Sequence, residues 1–162
     1  MPSVASTGPY DGSSRHGRPR PPFPTRRSIL ARPVPLARHR TDSEAELAVV
    51  IGRRGRNVTP AAAARYILGY TSSMDITDRT IQNSESQWCR AKSFDTFTPL
   101  GPYIETKLDP NNLTIQLFQN GQLRQNSNTA QLIFNCNRLV SFISTNMTLM
   151  PGDVILTGTP SG

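Results

Sequence analysis

Apolar and polar positions change texture along the chain near residue 41. Before it, large apolar residues are scattered between arginines and prolines; after it, they fall into short patterned runs. Glu44-Ala45-Glu46-Leu47-Ala48-Val49-Val50-Ile51-Gly52 reads as a strand ended by glycine and an Arg-rich turn. Thr59-Pro60 supplies an N-cap and a first-turn proline, so a helix is expected from there through Leu68, stopped by Gly69. The next forty residues read as irregular, with turn signals at Pro99 and Gly101-Pro102. Alternation over Leu113–Gln125, broken by Asn120-Gly121, predicts a β-hairpin with a two-residue turn. Arg138 to Thr145 predicts a short amphipathic helix with Leu139, Phe142 and Ile143 on one side. Pro151-Gly152 then turns the chain into a last strand, Asp153–Thr157. The expected fold class is mainly β with short helices, an α+β arrangement without internal repeats.

Charge sharpens the boundary. Residues 1–40 carry eight arginines, no lysine, one acid (Asp11) and eight of the 14 prolines. They therefore hold the whole formal charge of +7, while the remaining residues balance ten bases against ten acids. Too few large apolar groups and too many fixed φ angles leave such a segment unable to offset its ordering entropy. Residues 1–41 are read as a disordered Arg/Pro-rich tail, and 42–162 as one domain. The tail alone could attract phosphates, weakly and salt-sensitively; the body shows no basic face, so nucleic acid is not the expected partner. An Arg- and Ser-rich, acid-poor start also fits an organelle transit peptide, although the prolines prevent a continuous amphipathic helix.

Other classes drop out quickly. No run approaches the ~18 apolar residues of a membrane-spanning helix. Cys89 and Cys136 are too few for a disulfide scaffold and read as free thiols of a reducing compartment. His16 and His39 do not complete a zinc-ligand spacing with them, and both lie in the tail, so no Ser-His-Asp or Cys-His set is available. No phosphate-binding glycine loop follows a strand.

Acids offer the better chemistry. On a strand Glu44 and Glu46 share one face, ~7 Å apart, and repel unless solvated or bridged by a cation. Alone, that pattern describes a solvated face. Asp75, in Thr71-Ser72-Ser73-Met74-Asp75-Ile76-Thr77, could supply the third oxygen ligand a hard cation wants, although spacing does not require it. Lys92 lies in Arg90-Ala91-Lys92-Ser93-Phe94-Asp95. The residues leave two readings open, an ion pair with Asp95 or a cation aimed at developing negative charge. Thr157-Gly158-Thr159-Pro160-Ser161-Gly162 resembles an anion-holding loop, though such loops more often only turn the chain.

Taken in order, these segments resemble the fumarylacetoacetate hydrolase family. The matching runs are Glu44–Gly52; Gly69-Tyr70-Thr71 with Asp75, Arg79 and Gln82; Gln87-Trp88; Lys92–Phe97 with Pro99-Leu100-Gly101-Pro102; and Leu149–Gly162. The resemblance implies a β-rich roll binding one divalent cation, Mg²⁺ foremost with Mn²⁺ or Ca²⁺ as alternatives. By motif, Glu44, Glu46 and Asp75 would be its ligands and Lys92 the catalytic cation. Arg79, Gln82 and Thr159 would line the substrate site. It further implies small keto or diketo acid substrates, C–C bond hydrolysis, decarboxylation or isomerisation through an enolate, a homodimer, and a cytoplasmic or alternatively mitochondrial location.

Three departures accompany it. Met74 stands where the family usually places Asn, which implies a lost hydrogen bond beside the metal. A water-activating His and Glu upstream find no match in the tail. Relatives continue past Gly162 through strands that complete the roll, so the roll is expected to be incomplete at its C-terminus, and a noncatalytic relic is the competing reading.

Overall fold

The computed structural model describes residues 39–162, together with the backbone of two strands within the first 31 residues. Among the described residues, eight strands form two four-stranded antiparallel sheets. The first has the order β2-β1-β6-β7, with β1 Ser3–Thr7, β2 Arg27–Ala31, β6 Thr114–Gln119 and β7 Gln122–Asn128. The second has the order β5-β4-β3-β8, with β3 Thr41–Ile51, β4 Ile67–Asp78, β5 Leu100–Glu105 and β8 Val154–Leu156. The described residues also form three short α-helices: α1 Arg79–Ser84, α2 Cys89–Lys92 and α3 Cys136–Asn146. The mainly β fold with short helices is therefore the one observed.

One face of β3 makes the core. Ala45 packs with Met74 and Ile76 of β4, Ile115 and Leu117 of β6, and Phe97, joining the two sheets. Farther along, Leu47, Val49 and Ile51 pack with Tyr70, Ile155 and the α3 residues Cys136 and Val140. The predicted hairpin is present, with Gln119 opposite Gln122 and positive φ at Asn120 and Gly121. The last strand is also where the sequence places it, shortened to Val154–Leu156.

Four expectations need correction. Thr59–Leu68 forms only a 3-10 turn over Ala63–Arg65, and β4 begins at Ile67. A helix that short does not recover its nucleation cost, whereas Ile67 pairs with Ile51 and Gly69 with Val50. Gly69 is no helix stop: a Cβ there would run into the carbonyl of Glu105 on β5.

The stretch after Gly69, read as irregular, contains the long strand β4, both short helices and β5. In α3 the buried positions are Cys136, Val140 and Ser144, whereas Phe142 is exposed. Finally, the tail assigned to 1–41 is not free of regular structure: β1 pairs with β2 and β6, and β3 already starts at Thr41. Both early strands are proline-free stretches of that segment, where backbone donors remain for a ladder. The disorder expected over the rest of 1–38 falls on residues outside the described ones.

Candidate active site

The acids converge because of the β3–β4 register. Directly opposed residues of an antiparallel pair share a face, and here Asp42 faces Thr77, Glu44 faces Asp75 and Glu46 faces Ser73. The opposite face carries Ala45, Met74 and Ile76 into the core. A polar stripe thus runs along one side of two long central strands. Glu44, Glu46 and Asp75 each offer one carboxylate oxygen, all within 4.8 Å of one another.

Helices α1 and α2 lay two cations over this stripe. Asp78 caps α1, accepting from the Ile81 amide at 2.9 Å, and its other oxygen lies 2.6 Å from His39 Nδ1. That cap fixes where Arg79 leaves the strand. Arg79 donates through Nε to Asp42 at 3.0 Å, through a terminal nitrogen to Gln82 at 2.6 Å, and through the other to Glu44. Asp42 is held below its ordinary range, first by the hydrogen bond from Arg40, whose guanidinium grips both its oxygens.

Lys92, the last residue of α2, reaches Asp75 Oδ2 at 2.5 Å, Thr77 Oγ1 at 3.0 Å and Glu44 Oε2 at 3.4 Å. Its ion-pair partners are Asp75 and Glu44, not Asp95, which is exposed. The structural pairing weighed from sequence is thereby corrected: one turn of helix aims the ammonium inward, while Asp95 lies beyond its end.

Electrostatics mark Glu46 as unusual. It is 4% exposed, and burial pushes its carboxyl up to about 7, with the charges of Asp75 and Glu44 adding and the Gly158 amide opposing. That amide donates to Glu46 Oε2 at 2.6 Å. Asp75 is raised too, by burial first, with Lys92 pulling the other way. Lys92 and Arg79 answer Asp75 and Glu44, while Glu46 is met by a neutral amide.

A polar cavity of about 380 Å³ opens beside the cluster, lined by Asp42, Glu44, Arg79, Arg124, Gln125 and Thr159 among others. A larger one of about 530 Å³, with Leu47, Ile115, Leu132, Phe134 and Leu139 in its walls, lies against the 157–161 segment and touches none of Glu44, Glu46, Asp75 and Lys92, whereas of these four the smaller one is lined by Glu44. The smaller cavity is the candidate site, because Asp42, Glu44 and Arg79 bring charge to its wall.

Of the residues singled out from sequence, Glu44, Glu46, Asp75, Lys92 and Arg79 meet on one face, and Gln82 joins through Arg79. Thr159 lines the cavity, its hydroxyl donating to Ala45 O at 3.0 Å and accepting from Gln125 at 2.9 Å. Asp42, Thr77, Gln125 and the Gly158 amide escaped the sequence reading. Asp42 was visible as the continuation of the Glu44, Glu46 alternation; the others depend on register. Met74 is fully buried on the core face, so a side chain there cannot hydrogen-bond a ligand on the acid face, and the implied loss beside the metal is corrected.

Comparisons with known proteins place the chain among relatives. A sequence model of the fumarylacetoacetate (FAA) hydrolase C-terminal domain matches residues 15–162. An uncharacterised Archaeoglobus fulgidus protein is 56% identical over 129 residues, covering 80% of this chain and 52% of its own length. A mitochondrial oxaloacetate tautomerase of Xenopus laevis is 46% identical over 134 residues, covering 80% of this chain and 42% of its own. The crystal structure of a 2-hydroxyhepta-2,4-diene-1,7-dioate isomerase from Mycobacterium marinum superposes with a TM-score of 0.74 at 47% identity, over 75% of this chain and 48% of that one. The chain spans about half the length of the curated relatives it matches.

Proposed function

This chain belongs to the fumarylacetoacetate hydrolase family, and we propose that it enolises small 2-oxo acids at a divalent cation held by Glu44, Glu46 and Asp75. The observation that carries the reading is the convergence of these three oxygens within 4.8 Å of one another beneath the Lys92 ammonium. The set fits a hard cation. Oxygens of an octahedral Mg²⁺ or Mn²⁺ shell lie about 3 Å apart in adjacent positions and about 4.2 Å across the ion, so the three carboxylates would draw in around it. When bound, the cation supplies Lewis-acid polarisation of a keto oxygen.

The chain's own groups do the remainder. Lys92, tethered to Asp75 and Thr77, holds a positive charge on the same face, where an enolate oxygen would develop. Arg79, braced by Asp42, Glu44 and Gln82, presents a fixed guanidinium for a substrate carboxylate. Thr159 lines the same cavity.

Enolisation is the step common to C–C hydrolysis, decarboxylation and double-bond shift, and the Xenopus and Mycobacterium relatives, a tautomerase and an isomerase, support it. A homodimer belongs to the same proposal. No described helix is long and apolar enough to cross a membrane. A cytoplasmic site of action is proposed, with the mitochondrial Xenopus relative favouring the alternative.

Deuterium uptake at C3 of oxaloacetate or pyruvate, followed by NMR, tests the reading. Uptake should require added Mg²⁺ or Mn²⁺, stop with a chelator, and fall about 10²-fold in Lys92→Met. Metal-independent uptake, or none on any 2-oxo acid, would sink it.

A further inference from the structure

We propose that Gln125 is a positioning residue that fixes the 157–162 segment and, through the Gly158 amide, the orientation of Glu46. The inference rests on the reading of Glu46 as a cation ligand. Gln125 is 7% exposed and lies on β7, in the sheet that lacks the acids. Its carboxamide nonetheless crosses to the other sheet. Oε1 accepts from the Ala45 amide at 2.9 Å, while Nε2 donates to Thr159 Oγ1 at 2.9 Å and to the Pro160 carbonyl at 2.7 Å. One acceptor and two donors on a single planar group match those three partners, and no other uncharged side chain except Asn, which is shorter, offers that set.

The need arises from the edge of β3. Strand β8 pairs with β3 only at Ala48–Val50. Beyond that, backbone groups of β3 are met by the segment itself: Leu47 O takes both the amide and the hydroxyl of Thr157, and Ala45 O takes the Thr159 hydroxyl. Gln125 closes this arrangement by taking the Ala45 amide. Between Thr157 and Thr159, both fastened to β3, stands Gly158, whose amide holds Glu46 at 2.6 Å.

A register shift aims the side chain. Leu117 faces Gln125 but Phe118 faces Leu123, leaving Arg124 as the extra residue of a bulge next to Gln125. Bulges re-aim side chains in this way at barrel rims and sites. Arg124 and Gln125 consequently line the same cavity as Glu44 and Arg79.

Hydrogen exchange by NMR on the metal-free full chain tests the coupling, using Gln125→Glu and Gln125→Met. The first keeps size and an acceptor for Ala45 but removes both donors; the second removes all three bonds at similar volume. Both should speed exchange of the Thr157 and Gly158 amides about tenfold or more, while amides of the β3–β4 ladder keep wild-type rates. Mn²⁺ affinity of the Gln125→Met chain, by calorimetry, should fall about tenfold. Loop and ladder amides accelerating together would mean that Gln125 only stabilises the fold. Unchanged Gly158 exchange in both variants would likewise overturn the proposal. A wild-type chain that binds no Mn²⁺ would instead remove the metal reading, which the exchange comparison does not depend on.

Discussion

The ammonium of Lys92 lies 2.5 Å from Asp75 Oδ2 and 3.4 Å from Glu44 Oε2, so in this structure the lysine is the counter-ion of two of the three clustered acids. Both acids are mostly buried and Lys92 is 24% exposed. Its charge therefore stabilises the site before any cation arrives.

Removing that charge should separate stability from affinity. Lys92→Met should lower the metal-free unfolding free energy by roughly 2 kcal/mol, because two partly dehydrated carboxylates lose their partner. Divalent cation affinity should rise, since the cation no longer competes with the ammonium for Asp75. Denaturation melts and calorimetric Mg²⁺ titration of both proteins check this; weaker cation binding in the variant would contradict it.

The raised Glu46 carboxyl gives the site a pH dependence. Its folded value of about 7 lies above the ordinary 4.5, so between these limits the folded chain binds more protons than the unfolded one. As far as this group is concerned, metal-free stability should thus be greatest below about pH 4.5, fall by about 3 kcal/mol as pH rises from there through 7, and level off above. Asp75, also raised, acts in the same direction. Urea denaturation at pH 5 and pH 8 should show the loss, and Glu46→Gln should reduce it to the part that Asp75 contributes.

Position 74 belongs to the core, not to the site. Met74→Asn should cost roughly 3 kcal/mol, from lost packing and a buried amide without planned partners. It should leave Mg²⁺ affinity unimproved. A tighter cation site in this variant would mean that residue 74 reaches the acid face after all.

Asp42 braces Arg79 without belonging to the acid triad. Asp42→Asn should raise KM for a 2-oxo acid about tenfold by loosening the guanidinium, with Mg²⁺ affinity nearly unchanged. Steady-state kinetics beside a metal titration would separate the two effects.

How legible these features were depended on whether side-chain chemistry or register decided them. The apolar run after Glu46 and the Asn120-Gly121 turn announced β3 and the β6–β7 hairpin directly, since each local signal agrees with the final pairing. Strand β4 hid because Thr71, Ser72, Ser73, Thr77 and Asp78 are polar yet buried, a composition that reads as a loop until partners satisfy it. The opposite error occurred at Ala61–Leu68, where helix formers lost to pairing along β3. Glu44, Glu46, Asp75 and Lys92 were recoverable from motif resemblance. Their convergence is a consequence of the β3–β4 register, which no local pattern encodes, and the same holds for Gln125, contacting Ala45 across 80 residues of chain.

The central claim is that Glu44, Glu46 and Asp75 together hold one divalent cation. Calorimetric titration of Mn²⁺ into the wild-type chain and Glu46→Ala at pH 7.5 tests it most directly. The account predicts one Mn²⁺ per chain with proton release in the wild type, and at least a hundredfold weaker binding in the variant, because two carboxylates do not replace three around a hard cation. Equal affinity in the two proteins would contradict it.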